Sequence, residues 1–104
     1  MKEIPFFPLP LIVFPQETTR LFIYEPRYKQ LLNDIIAQNF PFVIPFQYEG
    51  KMSNIGSMVM LKQIVEQYAD GTSWIEITGL YPVSIVSLVR NIQQMLYDGG
   101  LFYV

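Results

Sequence analysis

The sequence has no cysteine and no histidine. Without cysteine there are no disulfides and no thiolate nucleophile, and without histidine the commonest general base is missing; together the two absences remove the usual zinc ligands. The nine carboxylates are scattered, with no pair at a helical or strand spacing suited to a divalent ion. Lys51 and Ser53 share a polar stretch, but a lysine there reads as solvated. Gly50, Gly56, Gly71, Gly79, Gly99 and Gly100 match neither common phosphate-binding loop pattern. No catalytic residue, metal or cofactor is therefore expected.

Charge is scarce as well. Charged residues make up 15% of the chain, the net charge is −2, and no basic cluster occurs. Nothing offers an electrostatic footprint for phosphate, so neither nucleic acid nor an anionic membrane surface is expected as a partner. No apolar run approaches the ~18 residues needed to cross a bilayer. The apolar start after Lys2 is broken by Pro5, Pro8 and Pro10 and does not read as a secretory signal, so the expected location is cytoplasmic.

What remains is apolar. Hydrophobic residues make up 51% of 104 residues and aromatics 15%, enough for one ordered domain with a substantial core. So little charge on so small a domain suggests that part of its surface is covered by a partner, a second domain or another copy.

Pro5, Pro8, Pro10 and Pro15 forbid a helix at the start and leave short extended pieces at residues 4–7 and 11–14. Residues 18–24 carry β-branched and aromatic side chains and read as a strand. From Pro26 the period changes: Tyr28, Leu31, Leu32, Ile35 and Ile36 form one helical stripe, with Arg27, Lys29, Gln30, Asn33 and Asp34 facing away. This helix, about residues 26–38, should stop at Asn39, ahead of Pro41. Further strands are expected at 42–48, at 55–68 as one bent strand or two short ones, at 74–78 and at 83–89. A polar loop at 48–54 and an Asp70-Gly71 hairpin turn separate them. Ile92, Met95 and Leu96 have helical spacing, and residues 101–104 look like a final strand. Six or seven strands with one helix inserted after the second or third make a mainly β, α+β domain, best closed as a barrel that removes exposed edges. The apolar finish at Val104 is the ending expected of a piece of something longer.

Four blocks carry a family likeness. Phe7-Pro8-Leu9-Pro10-Leu11-Ile12-Val13-Phe14-Pro15, then Leu21-Phe22-Ile23-Tyr24-Glu25-Pro26-Arg27-Tyr28, then Ile55-Gly56-Ser57 and Asp70-Gly71 before Gly79, resemble the amino-terminal substrate-binding domain of ATP-dependent Lon proteases. The resemblance implies a six-stranded PUA-like pseudo-barrel with one inserted helix, residues 1–104 forming that single subdomain without the helical bundle that usually follows. It also implies a non-catalytic module that recognises unfolded or partner polypeptides. Two alternatives stand beside it: an RNA-binding module, from the wider PUA-like fold, and an architectural domain that self-associates through an apolar edge at 101–104.

Two groups of residues are candidates for contact. Tyr48, Met52, Trp74 and Tyr81 lie near expected strand ends or loops, where rings and a flexible thioether can anchor peptide side chains; ordinary packing is the competing reading. Glu25, Pro26, Arg27 and Tyr28 read as a strand-to-helix junction. Pro26 suits the first helical position, and Arg27, opposed to the helix dipole, needs a partner such as Glu25.

Overall fold

The computed structural model describes residues 3–104. Six strands and one helix follow in the order β1 (Ile4–Pro5), β2 (Thr18–Ile23), α1 (Pro26–Gln38), β3 (Phe42–Tyr48), β4 (Lys51–Gln67), β5 (Ser73–Val89) and β6 (Gly99–Tyr103). Neighbouring strands are antiparallel in the order β1-β6-β5-β4-β3, with β2 paired to β5. The expectation of a mainly β domain with one inserted helix is met.

The ring is completed without a full ladder. After β1 the chain meets β3 in parallel at Phe6–Val43 and Leu9–Phe46, where Phe7 N–H donates to the Val43 carbonyl at 2.8 Å and Leu9 N–H to that of Pro45 at 3.1 Å. Pro8 and Pro10 flank these donors, so pairing is possible only at alternate residues. Residues 11–14 are in no strand, contrary to the sequence expectation. Val13 N–H is instead taken by the buried Ser57 hydroxyl at 3.1 Å.

Two core clusters result. Phe42 and Ile44 enter the larger one with Leu21, Ile23, Ile75 and Ile77, while Val43 between them joins Phe6, Met58 and Val83. Strand alternation divides β3 between the two. Leu31, Leu32 and Ile35 of α1 seal the larger cluster, whereas Ile36, expected on the same stripe, is half exposed. Polar residues expected to face away are instead tethers: Lys29 Nζ donates to the Asp70 carbonyl, Gln30 Oε1 accepts from Leu96 N–H, and Asp34 accepts from the Tyr97 hydroxyl at 2.7 Å. The helix ends as expected, with Asn39 left-handed and its N–H on the Ile35 carbonyl.

β4 and β5 are each 17 residues long. The expected polar loop at 48–54 is only a two-residue turn: Glu49 and Gly50 both have positive φ, and the ladder resumes at once with Tyr48 opposite Lys51. Asp70-Gly71 does lie in the β4–β5 hairpin, in a longer loop closed from Tyr68 N–H to the Thr72 carbonyl, with Gly71 alone left-handed. β5 runs through Gly79 and Pro82, where the sequence suggested a break. On one side β5 pairs with β2 up to Thr78 and with β6 from Ser84, so Pro82 falls between the two, where its missing donor is not needed. Ile92, Met95 and Leu96 do not make a helix. Left-handed backbone at Asn91, Gln93 and Gln94 limits this stretch to one 3-10 turn; Ile92 is buried and Leu96 exposed. Among the described residues, no helix is long and apolar enough to cross a membrane.

The Tyr97 contact gives a pH prediction. Burial, and then the hydrogen bond to Asp34, push the phenol well above its ordinary value. A group whose folded pKa is raised contributes stability that is complete below its unfolded pKa, about 10, and is lost as pH rises beyond it. Denaturation curves between pH 8 and 11 should show falling stability in the wild type above about pH 10 and a flatter profile in Tyr97→Phe. Equal profiles would contradict the assignment.

Candidate functional site

The strand-to-helix junction builds one wall of a surface cleft of about 480 Å³. Glu25 precedes proline and is extended at φ −77°, ψ 142°, and its carbonyl accepts the first helical N–H groups, those of Tyr28 and Lys29. Pro26 opens the helix. Arg27 Nε lies 3.4 Å from a Glu25 carboxylate oxygen, so the cation in the first turn is balanced within the junction itself. The guanidinium also sits 5.7 Å from the centre of the Tyr28 ring.

Tyr28 turns inward. Its ring stacks on Phe7 with centroids 3.7 Å apart and planes 16° from parallel, tying the first helical turn to the segment that closes the ring. Burial raises the Tyr28 pKa; Arg27 opposes the shift, and Glu25 and Asp98 add to it. Across the cleft, Arg90 pairs with Asp98 at 3.4 Å, and Asp98 also accepts from Asn91 N–H at 2.9 Å. Two cations and two carboxylates thus face one opening.

An aromatic shelf adjoins the cleft. Leu21 and Ile23 of β2 point into the core, so Phe22 and Tyr24 point out, 37% and 59% exposed. The β2–β5 register places Phe22 opposite Trp74, with ring centroids 5.0 Å apart, and Tyr24 lies 6.0 Å along from Phe22. Phe22 and Tyr24 line the cleft as well, so shelf and cleft form one surface.

The four sequence candidates do not converge. Tyr48 and Met52 belong to the β3–β4 hairpin, where Met52 lies opposite Gln47, itself a cleft residue. Trp74 sits at the start of β5, opposite Glu66 of β4, and Tyr81 lies mid-strand in β5 opposite Met58. Trp74 joins the shelf through Phe22, and Tyr81 lies outside the cleft lining. Residues 101–103 are in β6, paired with β5. Phe22 and Tyr24 were not picked out from the sequence, because strand preference accounted for them. Their shared parity, opposite to Leu21 and Ile23, was the available signal.

A prediction follows for the junction. The Arg27–Glu25 pair is half exposed, and such pairs contribute about 0–1 kcal/mol. Removing the cation also relieves its conflict with the helix dipole. Arg27→Ala should therefore change unfolding free energy in urea by no more than about 1 kcal/mol. A loss several times larger would make Arg27 a structural clamp.

The comparisons bear on the family and the fold. Residues 3–97 match the family model described as the ATP-dependent protease La (LON) substrate-binding domain. No curated protein matches the sequence. Among solved structures, the Lon N-terminal domain protein from Xanthomonas campestris superposes with a TM-score of 0.80 at 21% identity, over 98% of this chain and 59% of that one. The N-terminal domain of Mycobacterium avium complex Lon protease gives 0.76 at 13% identity, over 99% and 55%. The chain thus spans little more than half of either structure, and at these identities the likeness is one of fold. With nearly the whole sequence matched and the curled six-stranded sheet shared, the chain belongs to the LON substrate-binding domain family.

Proposed function

We propose that this domain is a non-catalytic module that binds unfolded or partner polypeptides on the surface formed by the aromatic shelf and the junction cleft. One observation carries the reading: Phe22, Tyr24 and Trp74 are exposed side by side, in contact, and lead into a polar cleft. Rigid aromatic rings offer large contact area at small entropic cost and suit apolar side chains of many sequences. The cleft supports polypeptide over phosphate, because each of its arginines is already paired with a carboxylate. Main-chain amides and carbonyls, which carry no net charge, match such paired walls. Membership in a substrate-binding family supports the same reading.

Trp74 is the single tryptophan of the chain, so the site reports on itself. Titration with a reduced and carboxymethylated polypeptide, which cannot fold, should shift Trp74 emission to the blue and saturate with a Kd of about 10–100 µM, since a small groove must offset the ordering of its ligand. No saturable change up to about 1 mM would overturn the proposal.

A further inference from the structure

β2 pairs with β5 on one side, and among the described residues its other side meets no strand and accepts no main-chain hydrogen bond. The ladder shows which groups that leaves free. Gly79 N–H donates to the Glu17 carbonyl at 2.9 Å, just before β2 begins. Hydrogen-bonded and non-hydrogen-bonded pairs alternate in an antiparallel ladder. Thr19, Leu21 and Ile23 therefore direct their N–H and C=O groups at β5, while Thr18, Arg20 and Phe22 direct theirs outward. The same phase makes Phe22 and Trp74 a non-hydrogen-bonded pair, whose side chains stand closest, in agreement with the 5.0 Å ring separation.

Edge strands are normally blunted by proline, lysine, bulges or a covering element. β2 contains no proline and no lysine, and its one charge, Arg20, is turned onto Glu76 of β5 at 3.2 Å. The outward-facing residues also hold the shelf: Phe22 presents its backbone to the edge and its ring to the aromatic face.

We propose that an extended segment of the bound polypeptide adds to the free edge of β2 as a further strand, with alternate apolar side chains resting on Phe22 and Tyr24, and Phe22 passing the contact on to Trp74 on the far side of β2. This rests on the binding reading above and adds its mode. Main-chain hydrogen bonds to Thr18, Arg20 and Phe22 supply affinity independent of sequence, and the shelf selects apolar residues at every second position. A segment leaving the end of β2 runs directly into the cleft, because Tyr24 lines both. A second copy of the chain suits the edge less well, since each copy carries a net charge of −2 and the two would repel.

The test uses a short peptide of alternating leucine and threonine with lysine at each end, and two isomers of it, each N-methylated at one alternate set of residues. Trp74 emission is the readout. The unmethylated peptide should bind; one isomer should match it and the other bind at least about tenfold more weakly, because its methyl groups face β2 and remove the donors. Equal binding by both isomers would overturn strand addition and leave the shelf as a side-chain site. Failure of all three peptides and of the unfolded polypeptide would overturn the binding reading as well. A protein-side variant gives a second arm. Arg20→Pro removes an outward donor and obstructs the edge while sparing the pairing through Thr19 and Leu21, and Arg20→Ala controls for the lost charge. Peptide binding by Arg20→Ala but not by a folded Arg20→Pro supports the proposal. Equal binding by both contradicts it, as does a wild-type dimer that Arg20→Pro dissociates and that takes no peptide.

Discussion

Gly100→Ala is expected to destabilise the domain by about 3 kcal/mol, at the upper end of the overpacking range, and to lower the thermal midpoint by roughly 15 °C. A methyl group at this position would lie 1.9 Å from the Ser87 carbonyl oxygen and 2.8 Å from the Phe6 ring. Neither neighbour can move freely. Ser87 is in β5, Phe6 is fully buried in the smaller core cluster, and Gly100 is the point where β6 pairs with both β1 and β5. Close approach of backbones is a known reason for glycine inside a strand. Gly50→Ala is the control, because no atom lies within 4 Å of its added carbon and only the strain of alanine at positive φ remains, a cost of about 1 kcal/mol. Comparable melting curves for the two variants would mean that the β1–β6–β5 junction is looser than described.

The second large effect concerns binding. Replacing Phe22 and Tyr24 together by serine should weaken capture of an unfolded, fluorescently labelled polypeptide by at least tenfold in an anisotropy titration, since aromatic anchors in such surfaces contribute about 1–2 kcal/mol or more each. The fold should hold, because both rings are exposed and the core contacts of β2 come from Leu21 and Ile23. Ile12→Ser and Phe14→Ser are matched controls: both residues are exposed, outside the cleft and outside the shelf. Equal losses in the two pairs would reduce the shelf to general surface hydrophobicity.

The helix was legible in the sequence because its signals are local. The stripe from Tyr28 to Ile35 is bracketed by Pro26 at the start and by Asn39 ahead of Pro41, and the observed bounds are those expected. The long strands were harder to read because their exceptions depend on distant partners. Pro82 is tolerated in β5 only because β2 ends and β6 begins on either side of it, and Pro45 because β3 shifts register between Pro45 and Gln47. Residues 11–14 have strand composition but lack a partner strand, the Val13 and Phe14 donors being claimed by the Ser57 hydroxyl and the Glu17 carboxylate. The tail failed for another reason: helical spacing at Ile92, Met95 and Leu96 was overridden by the Asn91 side chain, which holds the Met95 and Leu96 carbonyls.

The site was half legible. Glu25, Pro26, Arg27 and Tyr28 are consecutive, so their junction could be described without a fold. Trp74 could be singled out by residue type, but Phe22 and Tyr24 become its neighbours only through the β2–β5 register. Nothing local in the sequence encodes that register. The stacking of Tyr28 on Phe7 likewise depends on where the proline-rich start crosses the first turn of α1.

At 12.1 kDa the domain suits backbone amide chemical-shift mapping, which locates a bound polypeptide residue by residue. Addition of the reduced and carboxymethylated polypeptide to labelled domain should shift the amides of Thr18, Arg20 and Phe22 together with those of Tyr24, Arg27, Tyr28 and Trp74. Shifts confined instead to a second groove, lined by Phe40, Pro41, Met95 and Phe102, or no shifts at saturating polypeptide, would contradict the account.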